Sequence, residues 1–75
     1  MDPVSLQEQL DLGNLLIFSM GPGDFTTSGH IIAAGQSDES GYANVHDPNS
    51  KKRSRKWPLN DLIEQASAVF VLQKL

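Results

Sequence analysis

The sequence predicts an α+β domain, in which one or two helices pack on a small antiparallel sheet of about four strands. Two observations predict this class. Apolar runs of strand length recur along the chain, and two segments show the apolar spacing of a helical face. In chain order these segments give a helix, a strand, a long loop, a hairpin, a helix and a final strand, which is the order of elements in a helix-covered sheet.

The first predicted elements are a helix and a strand. Pro3 suits the first turn of a helix, Leu6 and Leu10 follow with a weak helical period, and Gly13 ends the pattern. The continuous apolar run within residues 15–20 has the length of a strand. Because its apolar residues do not alternate with polar ones, it is typical of a strand buried on both faces.

A loop and a hairpin are predicted next. Residues 21–29 (GPGDFTTSG) are rich in glycine, proline and hydroxyl side chains, and they predict a loop whose glycines allow positive φ. Phe25 is expected to anchor this loop by burying its ring. The hairpin consists of a strand over residues 31–34, a polar turn over residues 36–41 and a returning strand over residues 42–46.

The last third of the chain begins with a break. Residues 47–49 (DPN) end the returning strand, because proline has no N–H for a strand ladder. A basic loop over residues 51–56 follows, and Trp57 is expected to pack beneath it. Residues 59–67 have the apolar spacing of a helix, and residues 68–73 predict the closing strand.

The composition limits the chemistry that this chain can perform alone. The 75 residues include no cysteine, which excludes disulfides, thiolate metal sites and a cysteine nucleophile. No repeat or low-complexity linker divides the chain, so residues 1–75 are predicted to form a single domain with a thin core. We expect no cofactor and no metal.

Charge and hydropathy bear on the partners. The net charge of −3 argues against a general nucleic-acid binder, although five of the six lysines and arginines crowd into residues 51–56. The apolar run over residues 12–20 is too short to span a bilayer and follows no basic segment, so no membrane or export signal is predicted. The sequence leaves the compartment open.

Two histidines occupy chemically suggestive positions. His30 begins one strand of the hairpin, and His46 ends the other strand directly before Asp47. Pairing of the strands should bring His30 and Asp47 together, and a carboxylate that orients an imidazole is what a general base requires. A buried structural hydrogen bond is an equally good interpretation. A three-ligand metal site that also used His46 is disfavoured, because adjacent strand residues point to opposite faces.

Two further segments have the composition of functional sites. The glycine-rich loop over residues 21–29 lacks the spacing and the lysine of a phosphate-binding loop. The basic stretch over residues 51–56 has the composition of a localisation or nucleic-acid patch, but a solvated loop is the favoured interpretation.

One resemblance is more specific than these patterns. The string MGPGDFTTSGHIIAAG (residues 20–35), the string YANVHDPNS (residues 42–50), the basic and aromatic residues after them and a short helix follow one another in this order. Together they resemble bacterial cysteine peptidases of the bacteriocin-leader-processing type, which are papain-like enzymes of cysteine peptidase family thirty-nine. The family motif G-x-F-T-x-x-G-H matches residues 23–30, and the family's strand end N-D-P-x-S matches residues 46–50 except at His46. The likeness covers nearly the whole chain, which would be the C-terminal, β-rich half-domain of that fold.

The resemblance implies roles for two residues. His30 would be the catalytic histidine and Asp47 the acid that orients it. The nucleophilic cysteine and the oxyanion-hole glutamine of the family belong to an N-terminal half that this sequence does not contain, so the chain alone is expected to be inactive in peptide-bond hydrolysis. His46, where the family commonly has asparagine, and the small pair Ala33 and Ala34 are departures from the family pattern.

The predicted partners follow from the absence of the N-terminal half that the resemblance implies. We expect a peptide or protein partner, either a complementary N-terminal lobe or a second copy of the chain, because the loss of one lobe leaves an apolar face of the other uncovered. The alternative function is a non-catalytic peptide- or protein-binding domain derived from the same fold.

Overall fold

A five-stranded antiparallel sheet with two helices forms the domain, as a computed structural model of residues 2–75 describes it. The strands lie in the order β4-β3-β2-β1-β5. The predicted α+β class is confirmed, with one strand more than expected. The elements in chain order are α1 (Pro3–Asp11), β1 (Leu15–Met20), β2 (His30–Gln36), β3 (Tyr42–His46), β4 (Lys56–Pro58), α2 (Leu59–Gln65) and β5 (Ala66–Leu72).

Helix α1 begins with a side-chain cap. The Asp2 carboxylate accepts hydrogen bonds from the backbone N–H and the hydroxyl of Ser5, both at 2.9 Å, and so satisfies a free donor at the start of the helix. Leu6 and Leu10 are buried, as the helical period predicts. The helix is followed by Gly13 at φ 86°, a conformation that glycine adopts without strain.

The strands bury one face of the sheet and leave the other open. In β1, Leu16, Phe18 and Met20 are buried, whereas Leu15 is exposed and Ile17 is half-buried. The prediction that this strand is buried on both faces is therefore wrong. Both helices contribute to the same core as the buried residues of β1, so no helix within residues 2–75 covers the other side of the sheet.

We call the uncovered side the open face. The strand register aligns its apolar side chains across three neighbouring strands, β2, β1 and β5. Several are well exposed, with 60% for Phe70, 56% for Leu72 and 54% for Ile31. The apolar side chains that define the open face are Leu15, Ile17, Ile31, Phe70 and Leu72.

The predicted hairpin forms, but its first strand spans His30–Gln36 instead of residues 31–34, so the turn begins one residue later than predicted. Strand β3 has the predicted bounds, and β2 pairs with it so that Ala33 lies opposite His46 and Gln36 opposite Ala43. Gly41, at φ 86°, closes the turn before β3. This register fixes which residues of the two strands share a face, and it therefore positions the candidate site.

The C-terminal third differs from the prediction in its boundaries. The basic loop ends in a short edge strand, β4, which pairs with β3 and was not predicted. Helix α2 ends at Gln65 rather than at residue 67, because β5 starts to pair with β1 at Ala66. Ladder hydrogen bonds therefore replace the last turn of the predicted helix.

The one-sided core makes a direct prediction about two phenylalanines in adjacent strands. Phe18 is fully buried, and Phe70 is exposed on the open face. We expect Phe18→Ala to lower the free energy of unfolding by about 3–5 kcal/mol, because it leaves a cavity in the core. The matched change Phe70→Ala should lower the free energy of unfolding by no more than about 0.5 kcal/mol. Urea denaturation followed by circular dichroism measures both, and equal losses would contradict a one-sided core.

Candidate functional site

The hairpin brings His30 and Asp47 together at one end of the sheet. Nε2 of His30 lies 2.8 Å from Oδ1 of Asp47. Residues 30, 32 and 34 of β2 and residues 43, 45 and 47 at β3 fall on the helix-covered side, because side chains alternate along a strand. The predicted juxtaposition of the two residues is therefore present, on the same side of the sheet as the core.

His46 takes no part in this pair. It is exposed, on the opposite side of the sheet from Asp47, as the alternation of strand residues requires. Within residues 2–75, no group of three or more histidine, aspartate or glutamate side chains is arranged to hold a metal ion. The three-ligand arrangement of His30, His46 and Asp47 does not form.

Asp47 is the best-satisfied polar side chain of the site. Its carboxylate is fully buried and accepts three hydrogen bonds or ion-pair contacts. Oδ1 faces His30 Nε2 and the backbone N–H of Asn49 at 2.9 Å, while Oδ2 accepts from Arg53 Nε at 2.8 Å. No buried side-chain nitrogen or oxygen within residues 2–75 lacks a partner.

These contacts decide the charge of Asp47. Burial acts to raise the pKa of its carboxyl, but the hydrogen bonds from Arg53, His30 and the Asn49 backbone outweigh burial and lower the pKa from 3.8 to about 2. Asp47 is therefore ionised at neutral pH, and an ionised carboxylate can only accept hydrogen bonds.

The ionised carboxylate in turn assigns the tautomer of His30. Since Oδ1 accepts, Nε2 of the neutral imidazole has to carry the proton, which leaves the lone pair on Nδ1. The His30 side chain is 13% exposed, and its Nδ1 makes no hydrogen bond within residues 2–75. Because no buried nitrogen there is unsatisfied, Nδ1 is accessible to solvent. An accessible basic nitrogen on an oriented imidazole can act as a general base.

A turn after β3 holds the carboxylate in place. The backbone N–H of Ser50 donates to the carbonyl of Asp47 at 3.1 Å, and the Ser54 hydroxyl lies 2.9 Å from the Asp47 backbone nitrogen. The same hydroxyl donates to the carbonyl of Ser50 at 2.8 Å. The residues that the sequence identified only as a strand break thus form a closed turn around the acid.

Trp57 supports the basic loop from below, as predicted. Its ring is buried, and its Nε1 donates to the carbonyl of Arg53 at 2.8 Å. Phe25 packs on it with 4.7 Å between the ring centroids, so the predicted anchor of the glycine-rich loop is also confirmed. The guanidinium of Arg55 covers Trp57 at 3.8 Å from the ring centroid.

The loop over residues 21–29 forms without the positive φ that its glycines would allow. Within residues 2–75, only Gly13 and Gly41 have positive φ. Gly23 lies close to the carboxamide of Gln65, so a Cβ at this position would displace the Gln65 side chain. Gln65 clamps the loop by accepting from the Asp24 backbone N–H at 2.7 Å and donating to the Asp24 carboxylate at 3.0 Å.

Arg53 is the site residue that sequence reasoning missed. It lies within a basic stretch whose composition favours a solvated loop, and nothing in the local spacing distinguishes it from Lys52 or Arg55. The one available signal was an acid buried before a basic loop, since a buried carboxylate requires a cationic or N–H partner.

Comparison with known proteins gives no relative. No family model, no curated protein and no solved structure matches this chain. Among residues 2–75, no helix has the length and apolar character needed to cross a membrane.

The lowered pKa of Asp47 predicts a specific dependence of stability on pH. A carboxyl with a folded-state pKa of about 2 and an ordinary value of 3.8 stabilises the fold fully above about pH 4, and this contribution is lost as the pH falls through about 2. Asp47→Asn removes the titrating group. We therefore expect the free energy of unfolding to fall more steeply between about pH 4 and pH 2 in the wild type than in the variant.

Urea denaturation at a series of pH values measures this difference. The control is Asp38→Asn, because Asp38 also has a lowered pKa but pairs with Lys56 on the exposed surface, where an ion pair contributes little. Its pH dependence should stay close to that of the wild type. A curve for Asp47→Asn that runs parallel to the wild type would contradict the assigned role of the buried carboxylate.

Proposed function

We propose that this chain is the C-terminal lobe of a papain-like cysteine peptidase site and supplies its His–Asp pair. The observation that carries the proposal is the orientation of His30, whose Nε2 is fixed on an ionised carboxylate while Nδ1 stays accessible. The motif resemblance around residues 20–35 and 42–50 points to the same assignment. The nucleophilic cysteine and the oxyanion-hole glutamine would come from a separate N-terminal half.

The chemistry assigned to the pair is proton transfer. Nδ1 of His30 would take the proton of a cysteine thiol, and the thiolate would attack the carbonyl carbon of a peptide bond. The imidazolium formed in this step would be stabilised by Asp47 and would then give its proton to the leaving amine. The chain has no cysteine, so it performs none of these steps alone.

The charge of Asp47 suits this role. An orienting acid must remain ionised while the imidazole gains a proton, and the contacts from Arg53 and Asn49 hold the carboxylate in its charged form. The accessible Nδ1 is the feature that a general base requires.

A second candidate function is supported by the open face. Exposed apolar side chains aligned across three strands are typical of a protein interaction surface. The open face and the His30 ring lie on opposite sides of the sheet, so a partner bound to the open face does not by itself reach Nδ1. A non-catalytic binding domain would use the open face and leave the pair as a structural hydrogen bond.

Complementation distinguishes the two functions. The chain is mixed with the cysteine-bearing N-terminal half of a bacteriocin-leader-processing peptidase, and hydrolysis of a fluorogenic peptide is measured alongside binding. We expect hydrolysis only in the mixture, and a loss of at least about a hundredfold with His30→Gln, because the general base is removed. His46→Gln is the matched control and should retain the activity, since His46 lies on the other side of the sheet.

The other outcomes of this experiment are equally informative. Binding without hydrolysis, unaffected by His30→Gln, would favour the non-catalytic binding domain. Absence of both binding and hydrolysis would contradict the proposed complementary half.

A further inference from the structure

A pocket of about 320 Å³ lies between the basic loop and the glycine-rich loop. It adjoins the candidate site through Arg53, whose Nε is bound to Asp47. The residues that line it are Asp24, Ser50, Lys52, Arg53, Arg55 and Trp57.

The lining carries an excess of positive charge. Lys52, Arg53 and Arg55 face the single carboxylate of Asp24. Arg53 uses Nε for Asp47, and within residues 2–75 its two terminal nitrogens make no hydrogen bond. Arg55 is held by its contact with the Trp57 ring and by one hydrogen bond from Nη1 to the carbonyl of Lys56. Both guanidinium groups therefore keep N–H donors for a ligand.

The surroundings of the pocket limit the kind of anion that fits. The chain has a net charge of −3, and residues 1–50 contain no lysine or arginine. Lys56, the next cation along the chain, pairs with Asp38 at 3.0 Å and Glu39 at 3.1 Å. Three of the six lysines and arginines thus line one small pocket, whereas a nucleic acid requires a series of phosphate contacts. A single anionic group matches this distribution.

We propose that this pocket binds a carboxylate of a peptide, with Lys52, Arg53 and Arg55 as donors. A planar guanidinium matches a carboxylate in shape and charge, and the stacked ring holds Arg55 in one position. The inference concerns the pocket alone and does not depend on the peptidase assignment.

Trp57 is the single tryptophan of the chain, so its fluorescence reports on the pocket directly. The probe is the tripeptide alanyl-glutamyl-alanine, acetylated and amidated at its ends, and the neutral comparison is the same peptide with glutamine. We expect a saturable fluorescence change with the glutamyl peptide and an affinity at least about tenfold weaker with the glutaminyl peptide. Trialanine with a free carboxyl end tests whether a chain terminus binds as well as an acidic side chain.

Four variants test the residues involved. Lys52→Gln should weaken binding of the glutamyl peptide severalfold without changing a contact of Trp57. Arg55→Gln should weaken this binding further. The matched control is Lys51→Gln, because Lys51 is exposed and does not line the pocket. Asp24→Asn should tighten binding severalfold, because it removes the negative charge of the lining.

The proposal is overturned by a fluorescence titration that shows no saturation, or by equal affinities for the glutamyl and glutaminyl peptides. It is also overturned if a thymidine oligonucleotide binds more tightly than either carboxylate peptide and with a steep dependence on salt, since that result would assign the pocket to nucleic acid.

Discussion

The Asp47 carboxylate has no contact with water, so its negative charge has to be balanced by groups of the protein itself. Burying an ion without partners would cost several kcal/mol, and this cost constrains everything within reach of the two oxygens. Arg53 supplies the opposite charge, and the Asn49 backbone supplies an N–H. His30 supplies a third donor through Nε2. The orientation of the imidazole is thus a consequence of keeping a buried acid ionised.

The same constraint explains the shape of the loop that follows β3. To reach Asp47, Arg53 must return towards the sheet after an exposed turn, and the Ser54 hydroxyl ties that turn to the Asp47 backbone. The returning chain then pairs with β3 as β4 and places Trp57 under the loop. The adjoining pocket exists because the loop is folded back around the acid instead of extending into solvent.

Much of this arrangement could be predicted from the sequence, because the deciding patterns are local. Alternation along the two strands of the hairpin put His30 and Asp47 on one side and His46 on the other. What could not be predicted depends on contacts distant in sequence. The open face arises because both helices pack on one side, and strand β4 is defined by its pairing with Tyr42, Ala43 and Asn44.

The role of Arg53 escaped prediction because an irregular turn joins it to Asp47, and neither the helical nor the strand period applies across such a turn. The close approach of Gly23 to Gln65 could not be predicted either, because glycine suits both positive φ and close approach, and the sequence does not separate these causes. In each case the partner that decides the role, Asp47 or Gln65, belongs to another part of the chain.

Nitrogen-15 NMR of the imidazole in the His46→Gln variant, which retains a single histidine, tests the central claim most directly. The ring nitrogen shifts identify which atom carries the proton in the neutral form. An ionised Asp47 that accepts from His30 predicts the tautomer protonated at Nε2, with a bare Nδ1. A ring protonated at Nδ1, or one that exchanges freely between the two tautomers, would contradict the account.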